Sequence, residues 1–299
     1  MSLSAAPDWI AVDWGSTRLR AWAMDDSGVI LASATSDKGM NSLEPHAFEP
    51  ALIEAIGSWL GETRTEVLAC GMVGARQGWQ EAPYIAVPTT LADVAPVPVD
   101  RVRDARLQVR IVPGLSQARP VDVMRGEETQ ILGFLAVEPG FDGVLCIPGT
   151  HTKWVRLVEG RIEGFRTVMT GEVFELLAGR SILRHSVQGA AMNLDAFDGA
   201  VSGSSGTVLR DLFGIRARSL VEGQAPDTCL GQLSGSLIGA ELSEMAGVFA
   251  GQDLAIVGSE TLCDLYARAF AARGRPVRCF SGDSLVCRGL TALYRQHRG

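Results

Sequence analysis

The sequence lacks the segments that would direct it to a membrane, to secretion or to nucleic acid. No uninterrupted apolar run approaches the roughly 20 residues that span a bilayer. Residues 1–8 have neither the basic region nor the apolar core of a secretion signal. The net charge is −7, with 27 Lys and Arg against 34 Asp and Glu, whereas nucleic-acid binding needs clustered cations. We therefore expect a cytoplasmic protein that binds neither membranes nor nucleic acid.

Several motifs of well-known sites are also absent. Neither GxxxxGK[ST] nor GxGxxG occurs, which removes the P-loop and the dinucleotide-binding fingerprint. No GxSxG supports a hydrolase elbow. The six cysteines form no CxxC pair and the four histidines are dispersed, so we expect reduced thiols and no zinc site.

What the sequence does contain is one pattern that occurs twice. Each copy is an apolar strand, a turn with glycine, hydroxyls and a cation, a second strand, a tight turn and a third strand. The turns consist of Gly15, Ser16, Thr17 and Arg18 in the first copy, and of Gly149, Thr150, His151, Thr152 and Lys153 in the second. A glycine follows each copy, at Gly39 and Gly171. Backbone amides, hydroxyls and cations bind phosphate, so the duplication indicates two half-domains that close on a polyphosphate.

The surrounding pattern predicts an α/β architecture. Strands alternate with helix-period segments such as Glu127–Val137, which favours mixed sheets flanked by helices, in two lobes with a cleft between them. Residues 229–249 predict one long helix, whose glycines permit close backbone approach. The small, polar residues 186–206, with Gly199, Gly203 and Gly206, predict a mobile segment. We expect an N-terminal lobe of residues 8–126, joined by the C-terminal helix 285–299, and a C-terminal lobe of residues 127–284.

Two groups of polar residues could carry chemistry. Asp13 ends the first apolar strand, where a carboxylate can hold Mg²⁺ through few protein ligands; the alternative is an ordinary turn-initiating Asp. Arg18 could pair with a phosphoryl oxygen or with a substrate carboxylate. His151 either touches phosphate or is an exposed turn residue.

Glu127 and Glu128 open the helix that precedes the second hairpin. They either interact only with the helix dipole or include a general base that acts on a sugar hydroxyl. Only one can face the cleft, and we favour Glu127, with Glu128 facing solvent or capping the helix. Trp79, Pro83 and Tyr84 either line a sugar pocket or pack in the core.

Taken together, these segments resemble the phosphate-1 and phosphate-2 motifs of the sugar kinases in the actin-like ATPase superfamily. Within it they are similar to the 2-dehydro-3-deoxygalactonokinase family. The matching blocks are residues 10–17, 71–74, 78–79, 82–84, 111–115, 124–130, 148–155, 165–172 and 237–241. They extend over nearly the whole chain, and their combination is far more specific than any single block.

The resemblance implies two actin-like, ribonuclease H-like lobes and a kinase that uses ATP and Mg²⁺. The implied substrate is a small sugar acid, 2-dehydro-3-deoxy-D-galactonate, phosphorylated at its terminal (6-) hydroxyl in galactonate catabolism. Related kinases place an acidic base after a glycine, which here implies Glu127; they carry Asp there, so Glu128 stays open. The resemblance assigns metal binding to Asp13, phosphate binding to both turns, substrate binding to Gly71, Met72, Trp79, Tyr84, Arg125 and Arg166, and adenosine binding to Gly258 and Ser259.

The sequence is compatible with three other functions. The chain could phosphorylate a related 2-keto-3-deoxy sugar acid, because the galactonate-derived and gluconate-derived acids differ at one stereocentre. It could also be an actin-like ATPase with a regulatory function, or a phosphohydrolase of the same fold. The sequence is compatible with a homodimer but does not determine the oligomeric state.

Overall fold

The computed structural model describes residues 6–203 and 208–298. The strands of this part are β1 Trp9–Trp14, β2 Leu19–Met24, β3 Ile30–Ser36, β4 Thr65–Gly71, β5 Tyr84–Ala86, β6 Thr89–Thr90, β7 Val97–Pro98, β8 Leu107–Ile111, β9 Gly114–Ala118, β10 Val121–Met124, β11 Gly143–Ile147, β12 Thr152–Val158, β13 Arg161–Val168, β14 Asp253–Gly258 and β15 Arg278–Ser281. Its α-helices are α1 Phe48–Ile56, α2 Glu127–Val137, α3 Thr170–Arg180, α4 Arg184–Val187, α5 Leu194–Gly203, α6 Val208–Val221, α7 Pro226–Glu244, α8 Ala246–Phe249, α9 Glu260–Ala271 and α10 Gly282–His297. None of the described helices is long and apolar enough to cross a membrane.

The chain divides into two compact units. Of the described residues, unit 1 comprises 6–141, 158–164 and 282–298, and unit 2 comprises 142–157 and 165–281. Helix α2 therefore lies in unit 1, whereas the sequence pattern put the domain boundary before it. The physical reason is its packing on α10, where a Cβ at Gly133 or at Gly289 would lie about 2 Å from a carbonyl oxygen of the other helix.

The main sheet of unit 1 has the strand order β3-β2-β1-β4-β8-β7. The first three strands form an antiparallel meander, and β4 and β8 continue it in parallel with β1. Alternate residues of β1 face opposite sides. Val12 and Trp14 pack in a core with Phe48 and other residues of α1, while Trp9 stacks on Tyr294 of α10. A smaller sheet, β10-β9-β5, completes the unit.

Unit 2 repeats the strand order of unit 1. Its sheet runs β15-β14-β11-β12-β13, in which β11 and β12 form the hairpin and β14 and β15 continue in parallel with β11. Strand β11 thus corresponds to β1, and β12 corresponds to β2. The duplication that the sequence indicated is therefore present in the topology of the two sheets.

Helices cover the sheet of unit 2, and one expectation about them needs correction. Within the segment expected to be mobile, residues 194–203 form α5, and Gly231 and Gly235 of α7 let its backbone approach closely; residues 204–206 of that segment lie outside the described residues. The helix expected over residues 229–249 ends at Glu244, and α8 follows it. Phe249 of α8 then stacks on Trp154 with ring centroids 5.2 Å apart.

Candidate active site

The first turn, residues 15–18, joins β1 to β2, and backbone hydrogen bonds hold it in place. The Gly15 amide donates to the Arg18 carbonyl at 2.8 Å, and two amides of residues 40 and 41 donate to the carbonyls of Gly15 and Ser16. A Cβ at Gly39 would lie 2.2 Å from the backbone of Thr17, so only glycine fits there. Thr17 and Arg18 are exposed, and Arg18 Nε pairs with an Asp37 carboxylate oxygen 3.7 Å away in a solvated position.

The second turn is supported in the same way. A Cβ at Gly171 would lie 2.2 Å from the carbonyl oxygen of Gly149, and the amide of Glu172 donates to the Thr150 carbonyl at 2.9 Å. His151 Nε2 lies 2.6 Å from a carboxylate oxygen of Glu172. The glycine that follows each third strand, Gly39 or Gly171, thus packs directly against the backbone of the turn.

The structure separates the residues predicted at the tip of the second turn. Gly149 is partly exposed, and Thr150 and His151 are exposed. Thr152 is fully buried, with its hydroxyl 3.0 Å from that of Tyr266, and Lys153 is 5% exposed and donates to the Thr167 hydroxyl at 3.0 Å. Phosphate binding by all five stays a prediction, but only the first three reach the exposed tip.

Asp13, at the end of β1, has a cationic partner that the sequence analysis missed. Arg20 donates to the Asp13 carboxylate and also to Asp283 at the start of α10. Partial burial opposes the charge of the guanidinium, but the two carboxylates outweigh it and raise the pKa of Arg20 above its usual value. The signal was available, because Asp13 and Arg20 are directly opposite in the antiparallel register of β1 and β2.

The ligands available at Asp13 suit Mg²⁺ better than a structural metal ion. Within residues 6–203 and 208–298, no group of three or more His, Cys, Asp or Glu side chains could hold a metal by itself. Mg²⁺ keeps several waters and is often bound by one or two carboxylates together with substrate phosphates. Asp13 therefore suits Mg²⁺ that arrives with a polyphosphate, and it does not suit a permanent structural ion.

Two glycines with positive φ bring the start of α2 against the end of β4. Gly71 has a φ of 90°, and Gly126 has a φ of 107°. A Cβ on Gly71 would lie 2.8 Å from the Trp14 carbonyl oxygen and 3.3 Å from a carboxylate oxygen of Asp13, and a Cβ on Gly126 would lie 3.3 Å from Gly71 Cα. This backbone contact places the segment 125–128 beside the end of β1 within unit 1.

The two adjacent carboxylates at the start of α2 have different environments. Glu127 is partly exposed, and its carboxylate accepts the amide of Arg125 at 3.1 Å. Glu128 is 1% exposed, and both of its oxygens accept the Gly126 amide, at 2.9 and 2.7 Å. Burial, with the neighbouring charge of Glu127, raises the pKa of Glu128 to about 8. Glu128 therefore caps the helix from inside; the expectation that it could face solvent was wrong.

Arg125 presents unsatisfied donors beside an aromatic ring. Its Nη2 donates to the Ala82 carbonyl at 2.8 Å, and its guanidinium lies over the ring of Tyr84, 4.3 Å from the centroid. Its Nε and Nη1 are buried and have no hydrogen-bond partner in the described part of the chain. An unpaired buried donor is costly, and a charged N–H donor pairs well with a carboxylate oxygen.

The other predicted substrate residues lie in different surroundings. Met72 follows Gly71 and is partly buried. Trp79 packs edge-on against Trp14 and face-on against Phe48, in agreement with the core alternative. Arg166 is exposed on β13.

Comparison with known proteins gives the relatives of this chain. A family model described as DGOK, 2-keto-3-deoxy-galactonokinase, matches residues 13–293. The chain belongs to this family. It is 39% identical over 302 residues to a protein of Rhizobium meliloti (strain 1021) named probable 2-dehydro-3-deoxygalactonokinase DgoK1, with 98% of each chain covered. It is 35% identical over 291 residues to the 2-dehydro-3-deoxygalactonokinase of Escherichia coli (strain K12), with coverage of 95% and 97%.

A solved structure agrees with this family membership. A crystal structure of a protein from Sinorhizobium meliloti with the provisional name 2-dehydro-3-deoxygalactonokinase aligns with a TM-score of 0.89 and 38% identity, over 96% of this chain and 98% of that one. The fold is that of the actin-like ATPases and sugar kinases. The α/β architecture and the family inferred from the sequence are therefore confirmed.

Unit 2 of this family member contains a pocket that the sequence analysis did not find. It has a volume of about 90 Å³ and adjoins the second turn at Gly149. Its lining is mostly apolar and comes from α3, α7 and α9, including Phe174, Leu237, Ile238, Leu262 and Leu265. Apolar stripes on three helices are also the pattern of a hydrophobic core, so the sequence alone could not distinguish a pocket wall from a core.

The two residues predicted to bind adenosine lie next to this region but do not line the pocket. A Cβ at Gly258 would lie 3.3 Å from the ring of Pro148, which precedes the second turn. Ser259 is the N-cap of α9, and its hydroxyl accepts the amide of Leu262 at 3.4 Å. Adenosine binding by this pair stays a prediction.

Proposed function

We propose that this protein is a kinase that transfers the γ-phosphoryl group of ATP to the terminal (6-) hydroxyl of 2-dehydro-3-deoxy-D-galactonate. The product is 2-dehydro-3-deoxy-6-phospho-D-galactonate, and the reaction belongs to galactonate catabolism in the cytoplasm. The observation that carries the proposal is the pair of unsatisfied Arg125 donors. A sugar acid brings the planar carboxylate that these donors match, and two relatives above 30% identity bear the name of this activity.

Substrate binding is assigned to unit 1. The Arg125 guanidinium donates to the substrate carboxylate, and Tyr84, which is 42% exposed, holds the guanidinium plane from one face. Gly71 and Met72 are the other groups assigned to the substrate in this unit. Arg18 of unit 1 and Arg166 of unit 2 are the remaining candidates for the carboxylate.

Nucleotide binding is assigned to the two turns and to the pocket of unit 2. The exposed amides and hydroxyls of the turns hold phosphates, as backbone N–H groups do in other anion sites. The apolar pocket beside Gly149 takes the nucleoside, because base recognition needs an apolar slot with few polar groups. Mg²⁺, held through Asp13 and the phosphates, supplies neutralisation of charge on the transferring group.

Glu127 is the proposed general base. It is partly exposed, whereas Glu128 is buried with both oxygens bound to the Gly126 amide. A base must reach the hydroxyl proton in a productive pose, so exposure favours Glu127. Glu128 holds the Gly126 backbone from which Arg125 and Glu127 project on either side.

The deciding experiment is a coupled assay of ADP release from MgATP with and without keto acid. We expect release that depends on 2-dehydro-3-deoxy-D-galactonate, with a higher kcat/KM than for the gluconate-derived epimer. Equal or reversed values for the epimers would favour a kinase of a related keto acid. Release that is independent of both acids would refute the kinase and favour an ATPase.

A further inference from the structure

A buried carboxylate in unit 2 lies outside the proposed catalytic groups. Glu241, in the last turn of α7, is 2% exposed. One of its oxygens accepts the indole N–H of Trp154 at 2.7 Å, and the other accepts the hydroxyl of Tyr266 at 2.6 Å. The Thr152 hydroxyl lies 3.0 Å from the hydroxyl of Tyr266 and is linked to the carboxylate through it. Burial raises the pKa of Glu241, and the surrounding hydroxyl and indole donors oppose that shift by favouring the ionised form.

The donors of this network come from the segments that form the second turn. Thr152 is the residue directly after the tip, and its hydroxyl also meets that of Tyr266 at 3.0 Å. Thr170 begins α3, immediately before Gly171, which packs on Gly149. The carboxylate therefore ties the segment after the tip to α7 and α9 from the interior side, and the Thr170 hydroxyl of the other segment favours its ionised form.

The same network forms part of the wall of the apolar pocket. Tyr266 and Thr170 are lining residues of that pocket, together with Gly149 and Gly171 of the turn. The block of residues 237–241 also supplies Leu237 and Ile238 to the lining, one helical turn before Glu241. The position of Glu241 therefore affects both the conformation of the second turn and the shape of the pocket wall.

Stability alone does not account for a charge in this place. Removing a charge from water is costly, and apolar replacements of buried ionic groups are often neutral or stabilising. A fully hydrogen-bonded carboxylate does, however, fix the geometry of its donors more narrowly than apolar packing does. We propose that Glu241 is a positioning residue that holds the second turn and the pocket wall in the geometry that binds the nucleotide.

This inference rests on the proposed function, and its test uses nucleotide binding, which needs no acceptor. Two variants remove the network in different ways. Glu241→Gln keeps the shape of the side chain but removes the charge, and Tyr266→Phe deletes the hydroxyl between Thr152 and Glu241. Val201→Ala, at a 1% exposed position on α5 in the same hydrophobic core, is the matched control for lost stability.

The measurements are the Kd of ADP with Mg²⁺ by calorimetry, the KM values for ATP and for keto acid, and the unfolding midpoint. We expect both network variants to raise the ADP Kd and the ATP KM by about tenfold or more, the effect of one lost charged hydrogen bond. The keto-acid KM should change by less than about twofold, since the acceptor groups lie in unit 1. Val201→Ala should lower the midpoint without changing either nucleotide constant.

Unchanged ADP affinity in folded Glu241→Gln or Tyr266→Phe protein would overturn the inference, as would an equal loss in Val201→Ala. If Glu241→Gln does not fold, Tyr266→Phe alone decides. A wild-type protein that binds ADP but transfers no phosphate to the keto acid would refute the proposed function, and the ratio of ADP affinities would still decide the role of Glu241. A wild-type protein that binds no ADP would refute both.

Discussion

Replacing Arg125 with lysine tests the substrate site most directly. The guanidinium uses Nη2 for the Ala82 carbonyl and leaves Nε and Nη1 for the substrate. Lysine keeps the charge but lacks the planar set of separate N–H donors, so at least one charged hydrogen bond is lost. Such a bond contributes about 1.5–3 kcal/mol, which predicts a rise of roughly 10- to 150-fold in the keto-acid KM. The ATP KM should stay within about twofold of the wild-type value.

The assay is the coupled ADP-release assay with the keto acid varied at saturating MgATP, and the unfolding midpoint is measured alongside. Arg106→Lys is the matched control, because Arg106 also donates to a carboxylate, that of Asp104, but on the surface. An unchanged keto-acid KM in folded Arg125→Lys protein would refute the clamp at this residue. Lysine would then be tested at Arg18 and Arg166; if all three leave the KM unchanged, the backbone amides of residues 71–74 are the next candidates.

Three further results are expected. Asp13→Asn should cost several kcal/mol in the transition state while barely moving the unfolding midpoint, so near-normal turnover of the folded protein would reject the metal role. Glu127→Gln should lower kcat by roughly 10²–10⁴-fold with ATP binding retained, and Glu128→Gln should lower it far less; the opposite ranking would make Glu128 the base. The pKa of Glu128 is raised by folding from 4.5 to about 8, so the free energy of unfolding should fall as pH rises through that window, by about 5 kcal/mol at most. Denaturant titrations from pH 4.5 to 8 should show this decline, and an equal slope in Glu128→Gln protein would assign it to another group.

The two hairpins could be predicted because a hairpin depends on neighbouring residues in the chain. Glycine, hydroxyls and a cation are groups that bind anions, and phosphate binding by these turns stays a prediction. The roles of Gly39 and Gly171 follow from contacts made about 20 residues away, yet their repeated position in both copies already marked them. Arg20 could have been found by the same kind of reasoning, since a short hairpin turn fixes its register with Asp13.

The remaining features depend on contacts between segments distant in sequence. Adjacent acidic residues at a helix start look alike in the sequence, and only the positive φ of Gly126 turns its amide toward Glu128. The packing of helix 194–203 depends on two glycines of α7, which leave space for the backbone of that helix. The pocket of unit 2 could not be predicted either, because its walls have the composition of a core.

The two copies of the hairpin share a backbone and differ in what lies under the tip. Two residues before the glycine, the first copy has Asp13, which is bound by Arg20, and the second has Ile147, which is 4% exposed. The second copy instead has Thr152 turned inward onto the network around Glu241, beside an apolar pocket. A carboxylate at a turn suits a metal-bound phosphate, whereas an anchored turn beside an apolar slot suits the remainder of a nucleotide. We therefore propose metal-bound phosphate for the first turn and the remainder of the nucleotide for the second.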